Sequence, residues 1–152
     1  MHQRIDKQAL HQECVRIIRS KIEETQAIIQ SAGASAQADT KSTAGDKHDT
    51  ARAMAHIEQE KHAQILSQQQ SIENILLRIR TDASVSTVSV GSIVETTMGI
   101  FYVAVALGKC TVGDRELFVL SSSSPLAKEI QGKTSGNTFT MSGKKHRISD
   151  IY

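Results

Sequence analysis

Two carboxylates lie three positions apart in the polar stretch STAGDKHDT, residues 42–50. They are Asp46 and Asp49, and the stretch separates two long segments with helical periodicity. Acids at the start of a helix cap its free N–H groups and complement its positive dipole end. Carboxylates also bind metal ions in proteins. The pair therefore predicts a helix cap or part of a metal site, and the residue types alone favour the cap.

Four further side chains near this pair could contact phosphate groups. They are Lys41, Lys47, His48 and Arg52. Lysine and arginine bind nucleic-acid phosphates irrespective of sequence, and a histidine beside two acids could contact phosphate or metal. The competing interpretation, for each of the four, is an ordinary solvated side chain on a surface of mixed charge. We treat them as contact candidates.

Length and composition exclude several classes of protein. The chain has 152 residues, 39% of them hydrophobic, and a net charge of +2, which fits one domain or two small ones and neither a disordered nor a strongly basic protein. The start, MHQRIDKQAL, lacks the apolar core of a signal peptide, and no run approaches the roughly 20 apolar residues of a membrane span. We expect a cytoplasmic location.

Cys14 and Cys110 lack metal-ligand spacing, which predicts free thiols.

Helical periodicity dominates the first 84 residues. Apolar and small residues recur at steps of three and four in two segments. The first segment contains Leu10, Cys14, Ile17, Ile18, Ile22, Thr25 and Ile29, and the second contains Met54, Ile57, Ile65, Gln69, Ile72, Leu76 and Ile79. Because each apolar seam is narrow, each helix needs a partner, and the other helix provides it. We predict an antiparallel coiled-coil arm over residues 1–84 with its tip near residues 35–50.

The pattern changes in residues 85–152, which contain all five aromatic residues and the only proline. Alternation predicts strands at 92–96, 100–107, 115–121, 138–141 and 146–151, with turns at Gly108 and around Gly113. The run SSPLAKEIQGK predicts one short helix, with Ser124 as N-cap, Pro125 in the first turn and Gly132 at its end. The fold class is therefore α+β, with a helical hairpin followed by a small antiparallel β domain with one short helix.

Three runs of this second part carry a family resemblance. VGSIVETT, SPLAKEIQGKTSGNTFTM and KKHRISDIY resemble the C-terminal domain of the Gre family, the bacterial transcript cleavage and elongation factors. Ala127 stands where the family pattern has glycine, and Asn137 where it has aspartate. The resemblance implies an FKBP-like C-terminal domain preceded by an antiparallel coiled coil. It also implies bacterial RNA polymerase as partner, with no membrane and no sequence-specific DNA binding.

The resemblance also bears on the paired carboxylates. Gre factors insert the coiled-coil tip into the secondary channel of RNA polymerase, where two acids help to hold a Mg²⁺ of the polymerase active site and promote cleavage of backtracked RNA. Asp46 and Asp49 look like that pair, although Asp49 is one methylene shorter than the family's Glu. The resemblance thus implies that these two residues are catalytic and metal-binding, with no cofactor bound by the chain alone. The nascent RNA 3′ end would then lie near the contact candidates.

Three functions from different classes follow. The first is a Gre-type factor that stimulates the polymerase's own RNA cleavage. The second is a regulator that occupies the same channel without stimulating cleavage. The third is a free-standing enzyme, either a prolyl isomerase or an acyl-transfer enzyme with Cys14 or Cys110 as nucleophile. The third is disfavoured because neither cysteine has a visible base or oxyanion loop, and because fold alone does not imply activity.

Overall fold

The first half of the chain forms two long helices, because it has no proline and its apolar residues recur with helical spacing in a narrow seam. Helix α1 spans Lys7–Asp39 and helix α2 spans Asp46–Arg78, each 33 residues long. The structure, a computed structural model, describes residues 3–39 and 46–152, and for 34–39 and 46–48 it describes the backbone only. The predicted tip near residues 35–50 therefore lies partly outside the described residues. Within them, no helix is both long and apolar enough to cross a membrane.

The chain forms two compact units, which we call the helical unit, Ile17–Glu73, and the sheet unit, Met1–Arg16 with Asn74–Tyr152. The expected domain boundary at residue 84 stays a prediction. Within the helical unit, α1 and α2 run antiparallel. Arg19 donates a hydrogen bond to Glu73 at 2.9 Å, and Gly33 lies beside Gln59. From the first contact to the second, α1 advances by fourteen residues while α2 goes back by fourteen, as an antiparallel pair requires.

The predicted seam is confirmed along α1 and is wrong along part of α2. On α1, Ile18, Ile22 and Thr25 are buried in the helical unit. On α2, Met54 and Ile57 are 64% and 63% exposed. The other residues predicted in the second segment are confirmed, since Leu76 is buried and Ile65, Gln69, Ile72 and Ile79 are half-buried. Towards the start of α2 the half-buried residues are instead His62, Gln59 and Ala55, so this end of the seam takes polar and small side chains.

The second half forms a six-stranded sheet in the order β3-β4-β2-β1-β6-β5. The strands are β1 Ile93–Thr96, β2 Ile100–Ala104, β3 Gly108–Val112, β4 Arg115–Ser121, β5 Thr138–Met141 and β6 Lys144–Ile151. The α+β class and five strands are confirmed. Neighbours are antiparallel except β2 and β4, which pair in parallel because β3 turns the chain back before β4. Strand β3 was not predicted, since Gly108 resembles a turn signal but begins this edge strand.

The two faces of the sheet are covered by different parts of the sheet unit. One face packs against helix α3, Pro125–Ile130, in a core that includes Val103, Ile130, Phe139 and Ile148. On the other face, His11 of α1 lies 2.8 Å from the Tyr102 hydroxyl. Alternation along each strand explains this division, because successive side chains point to opposite faces.

A hydrogen-bonded network fastens the residues before α1 to the sheet. The main-chain N–H of Ile5 donates to the Tyr152 hydroxyl at 2.8 Å, and that hydroxyl donates to Glu95 at 2.7 Å. Arg115 also donates to Glu95, at 3.4 Å, and contacts the main-chain oxygen of Gln3. Burial, with the hydrogen bond to Glu95, raises the pKa of Tyr152 above its ordinary value. The terminal tyrosine thus links the two ends of the chain within the sheet unit.

Helix α3 begins as its sequence predicts. The Ser124 side chain accepts a hydrogen bond from the Ala127 main-chain N–H at 3.2 Å, Pro125 occupies the first turn, and Gly132 beyond the helix has a φ of +77°. A serine cap satisfies one of the N–H groups that the first turn leaves without a partner. The cap therefore fixes the start of the helix that covers the core.

Replacing Ser124 with alanine is expected to lower the free energy of unfolding by about 1 kcal/mol, because the Ala127 N–H loses its acceptor. Urea denaturation followed by circular dichroism measures the change. Ser122→Ala, at an exposed serine two residues earlier, is the matched control and should change stability by less than about 0.5 kcal/mol. Equal losses in the two variants would show that the cap contributes nothing specific.

Candidate functional site

The paired carboxylates lie in the first turn of α2, which begins at Asp46. Asp49 is exposed, and the side chain of Asp46 is outside the described part of the chain. Residues three apart on a helix are neighbours on one face, with Cβ atoms about 5–6 Å apart. Positions 46 and 49 of the helical backbone therefore belong to the same face of α2, at its positive dipole end.

The four contact candidates are described to different extents. Lys41 lies outside the described residues. Lys47 and His48 belong to the first turn of α2, but only their backbone is described. Arg52 is exposed one turn after Asp49, and it forms no ion pair with a described carboxylate. The structure thus places three of the four candidates, by backbone, in the same two turns as the acids.

The donor set of this helix start suits a shared magnesium ion better than a private one. Two carboxylates supply oxygen ligands of the hard type that Mg²⁺ takes, together with retained waters. Mg²⁺ in proteins is usually held by one or two carboxylates, retained waters and ligands from a bound substrate. The residue types therefore fit a cation whose other ligands come from a partner.

The two cysteines, distant in the sequence, come together in the sheet unit. Cys14 of α1 and Cys110 of β3 are free, buried and close enough to hydrogen-bond to each other. Burial raises the pKa of Cys14 to about 12, and burial also raises the pKa of Cys110. Since the thiolate is the reactive form, both thiols are poor nucleophiles near neutral pH. This environment disfavours the acyl-transfer enzyme considered from the sequence.

The native protein is expected to react with a chromogenic disulfide such as 5,5′-dithiobis(2-nitrobenzoic acid) far more slowly than its urea-unfolded form, because burial keeps both thiols protonated and covered. The absorbance of released thionitrobenzoate measures the rate. A pH series sharpens the test, because the rate for a thiol with a pKa of about 12 should still be rising above pH 9, where an ordinary thiol of pKa about 8.5 has levelled off. Rapid labelling of one thiol in the folded protein at pH 7 would contradict this account.

One charged feature of the sheet unit was not predicted from the sequence. Lys144, Lys145 and Arg147 are exposed on the hairpin that joins β5 and β6. The run KKHR was assigned only to the family resemblance. The sequence did indicate a positively charged surface here, because residues 130–149 contain no aspartate or glutamate.

Comparisons with known proteins give a limited likeness to solved structures. No family model and no curated protein matches the chain. Among solved structures, one described as the structure of the transcription factor Gfh1 aligns with 100% of this chain and 99% of its own, at 19% identity and a TM-score of 0.39. A TM-score of that size does not establish a shared fold. The function of this chain has to be inferred from its own residues and from the resemblance carried by its motifs.

Proposed function

We propose that this chain is an accessory factor that binds bacterial RNA polymerase, places the tip of its helical hairpin in the secondary channel and promotes cleavage of backtracked RNA. The observation that carries the proposal is the position of Asp46 and Asp49, three residues apart in the first turn of α2. The chain would not be an enzyme on its own. It would supply groups that complete the polymerase's active site.

The helical unit suits an inserted arm. It contains residues 17–39 of α1 and 46–73 of α2, which at about 1.5 Å per residue are about 35 Å and about 42 Å long, and the two run antiparallel. A two-helix hairpin is narrow for its length, because each helix with its side chains is about 10–12 Å across. Half-buried Ala55 and Gln59, rather than large apolar residues, form the seam towards the start of α2. Small seam side chains let helices approach closely.

The acids would act by position and charge. Asp46 and Asp49 would supply two of the oxygen ligands of a Mg²⁺ in the polymerase active site, and Arg52 and Lys47 would lie near RNA phosphates. The bound Mg²⁺ would supply stabilisation of the charge that develops during phosphodiester cleavage. This chain's contribution is to hold the two carboxylates at helical spacing on an ordered backbone, so that less ordering is needed when the tip docks.

A second candidate function is a regulator that occupies the channel without stimulating cleavage. One observation favours it: α2 begins at Asp46, so both acids lie where any helix prefers negative charge, whether or not metal is bound. Asp49 is also shorter than the family's glutamate at this position, and reach matters at a metal site. The two functions share the partner and differ only in the chemistry of the tip.

A transcript cleavage assay separates the two functions. Stalled, backtracked elongation complexes carrying labelled RNA are incubated with the wild-type protein and Mg²⁺, and binding to the same complexes is followed by fluorescence anisotropy. Shortened RNA at protein concentrations that saturate binding supports the first function. Saturable binding without shortened RNA supports the second, and the absence of binding overturns both.

A further inference from the structure

Positive charge is concentrated in one short part of the sheet unit. Residues 130–149 contain no acid and four cations, Lys133, Lys144, Lys145 and Arg147. Their net charge is therefore +4, and because the whole chain has a net charge of +2, the other residues together have a net charge of −2. The described ion pairs of the sheet unit use other cations, among them Arg4, Lys109 and Arg115. The cations of this stretch are therefore not neutralised by described carboxylates.

The β5–β6 hairpin arranges part of this charge on one face. Lys145 lies directly opposite Thr140, and Arg147 lies opposite Thr138, and all four are exposed. Directly opposite residues share a face of the sheet, whereas Phe139 and Ile148, buried in the core, point to the other face. We call the surface formed by Thr138, Thr140, Lys145 and Arg147 the basic face. Lys144 pairs with Met141 and therefore belongs to the other face, but it is exposed at the end of the hairpin, beside the turn at Gly143, and adds its charge there.

We propose that the basic face, with Lys144, binds the phosphate backbone of an extended single strand of RNA. Residues two apart on a strand are separated by about 6.6 Å, which puts the Lys145 and Arg147 cations at a spacing comparable to successive phosphates of an extended strand. The flanking threonine hydroxyls can donate to and accept from the ribose 2′-hydroxyl, the group that distinguishes RNA from DNA.

The composition of this face favours a nucleic acid over an acidic protein. Stable protein interfaces centre on apolar or aromatic side chains, but none of the large hydrophobic residues exposed in the described chain belongs to β5 or β6. Interfaces with nucleic acids are more polar and more positively charged. Because Phe139 is buried, the face offers no aromatic platform for bases, and binding should not depend on base sequence.

The test measures binding of fluorescein-labelled oligouridylate of about 20 nucleotides by anisotropy, from about 50 to 200 mM salt, without polymerase. The triple variant Lys144→Gln/Lys145→Gln/Arg147→Gln should bind the RNA at least about tenfold more weakly at the lowest salt. The slope of its log affinity against log salt concentration should be shallower by about 2, because each lost phosphate contact contributes about 0.7 to the slope. Lys144→Arg/Lys145→Arg, which keeps the charge, should bind as the wild type does. Thermal unfolding establishes that the variants are folded.

A matched triple variant removes the same charge elsewhere. Lys21, Lys61 and Arg78 are exposed on α1 and α2, and replacing all three with glutamine should leave affinity within about twofold. If both triple variants bind RNA equally weakly, the net charge of the protein alone explains binding and the proposal is overturned. Tighter binding of poly-L-glutamate or of oligodeoxythymidylate than of RNA would also overturn it. Since no polymerase is present, the result is independent of the function proposed for the helical tip.

Discussion

An Asp46→Asn/Asp49→Asn variant is expected to bind polymerase like the wild type and to stimulate RNA cleavage about 100-fold less, a loss typical when a group that stabilises developing charge is removed. The amide has almost the same size as the carboxylate but lacks its negative charge and is a weaker ligand for Mg²⁺. Asparagine also caps helices about as well as aspartate, so the start of α2 should persist. Cleavage rates on backtracked complexes at saturating protein give the measurement.

The control for this variant is Glu58→Gln/Glu60→Gln, which removes the same charge from exposed positions about three turns further along α2. This control variant should stimulate RNA cleavage by the polymerase as strongly as the wild type does. If the Asp46→Asn/Asp49→Asn protein retains full stimulation, the two acids are a helix cap and nothing more. If both double variants lose activity equally, the general charge of the arm matters and the specific role of the first turn is contradicted.

Ile148→Ala is expected to lower the free energy of unfolding by about 2–5 kcal/mol. Ile148 is 0% exposed and belongs to the core beneath α3, together with Ile130 and Phe139. Truncation removes buried apolar surface and leaves a cavity, because the strand is held on both sides. The main-chain N–H of Ile148 donates to the main-chain oxygen of Asn137, and the main-chain oxygen of Ile148 accepts from the N–H of Gly136.

Urea denaturation followed by near-ultraviolet and far-ultraviolet circular dichroism measures this loss. Val90→Ala, at a valine that is 49% exposed, is the matched control and should cost less than about 0.5 kcal/mol. A loss below about 1 kcal/mol for Ile148→Ala would mean that the side chain is not enclosed in the native protein as the structure places it.

Local patterns predicted the elements whose reasons are local. The cap at Ser124 and the end of α3 near Gly132 were predicted, because one side chain and one backbone conformation decide them. The buried seam of α1 was also predicted, since apolar residues recur there without interruption. In each case the residue types needed by the structure occur within one or two turns of each other.

Features decided by partners distant in the sequence were missed or assigned wrongly. Met54 and Ile57 were assigned to the seam from hydrophobicity, but the pairing with α1 selects Ala55 and Gln59 instead. Strand β3 depends on its pairing with β4, and nothing within its own five residues indicates a strand strongly. The meeting of Cys14 with its partner on β3 likewise follows from the docking of α1 on the sheet.

The start of α2 was predicted from the sequence, whereas the role of its two acids stays a prediction. Sequence placed Asp46 and Asp49 at the start of a helix, and α2 begins there. Their chemical role depends on ligands that another protein would contribute, and no pattern within this chain can specify those. The basic face was missed for a related reason: it exists only once β5 and β6 pair and place Lys145 and Arg147 beside two threonines.

Site-specific photocrosslinking to polymerase tests the central claim most directly. A benzophenone amino acid at Ala53, exposed in the second turn of α2, should crosslink to polymerase segments that line the route to the active site. The same group at exposed Ala83, in the sheet unit, should crosslink outside that route. This pattern would support a chain that works by inserting the start of α2 into the secondary channel. Crosslinks from Ala83 alone, or none to polymerase from either position, would contradict that account.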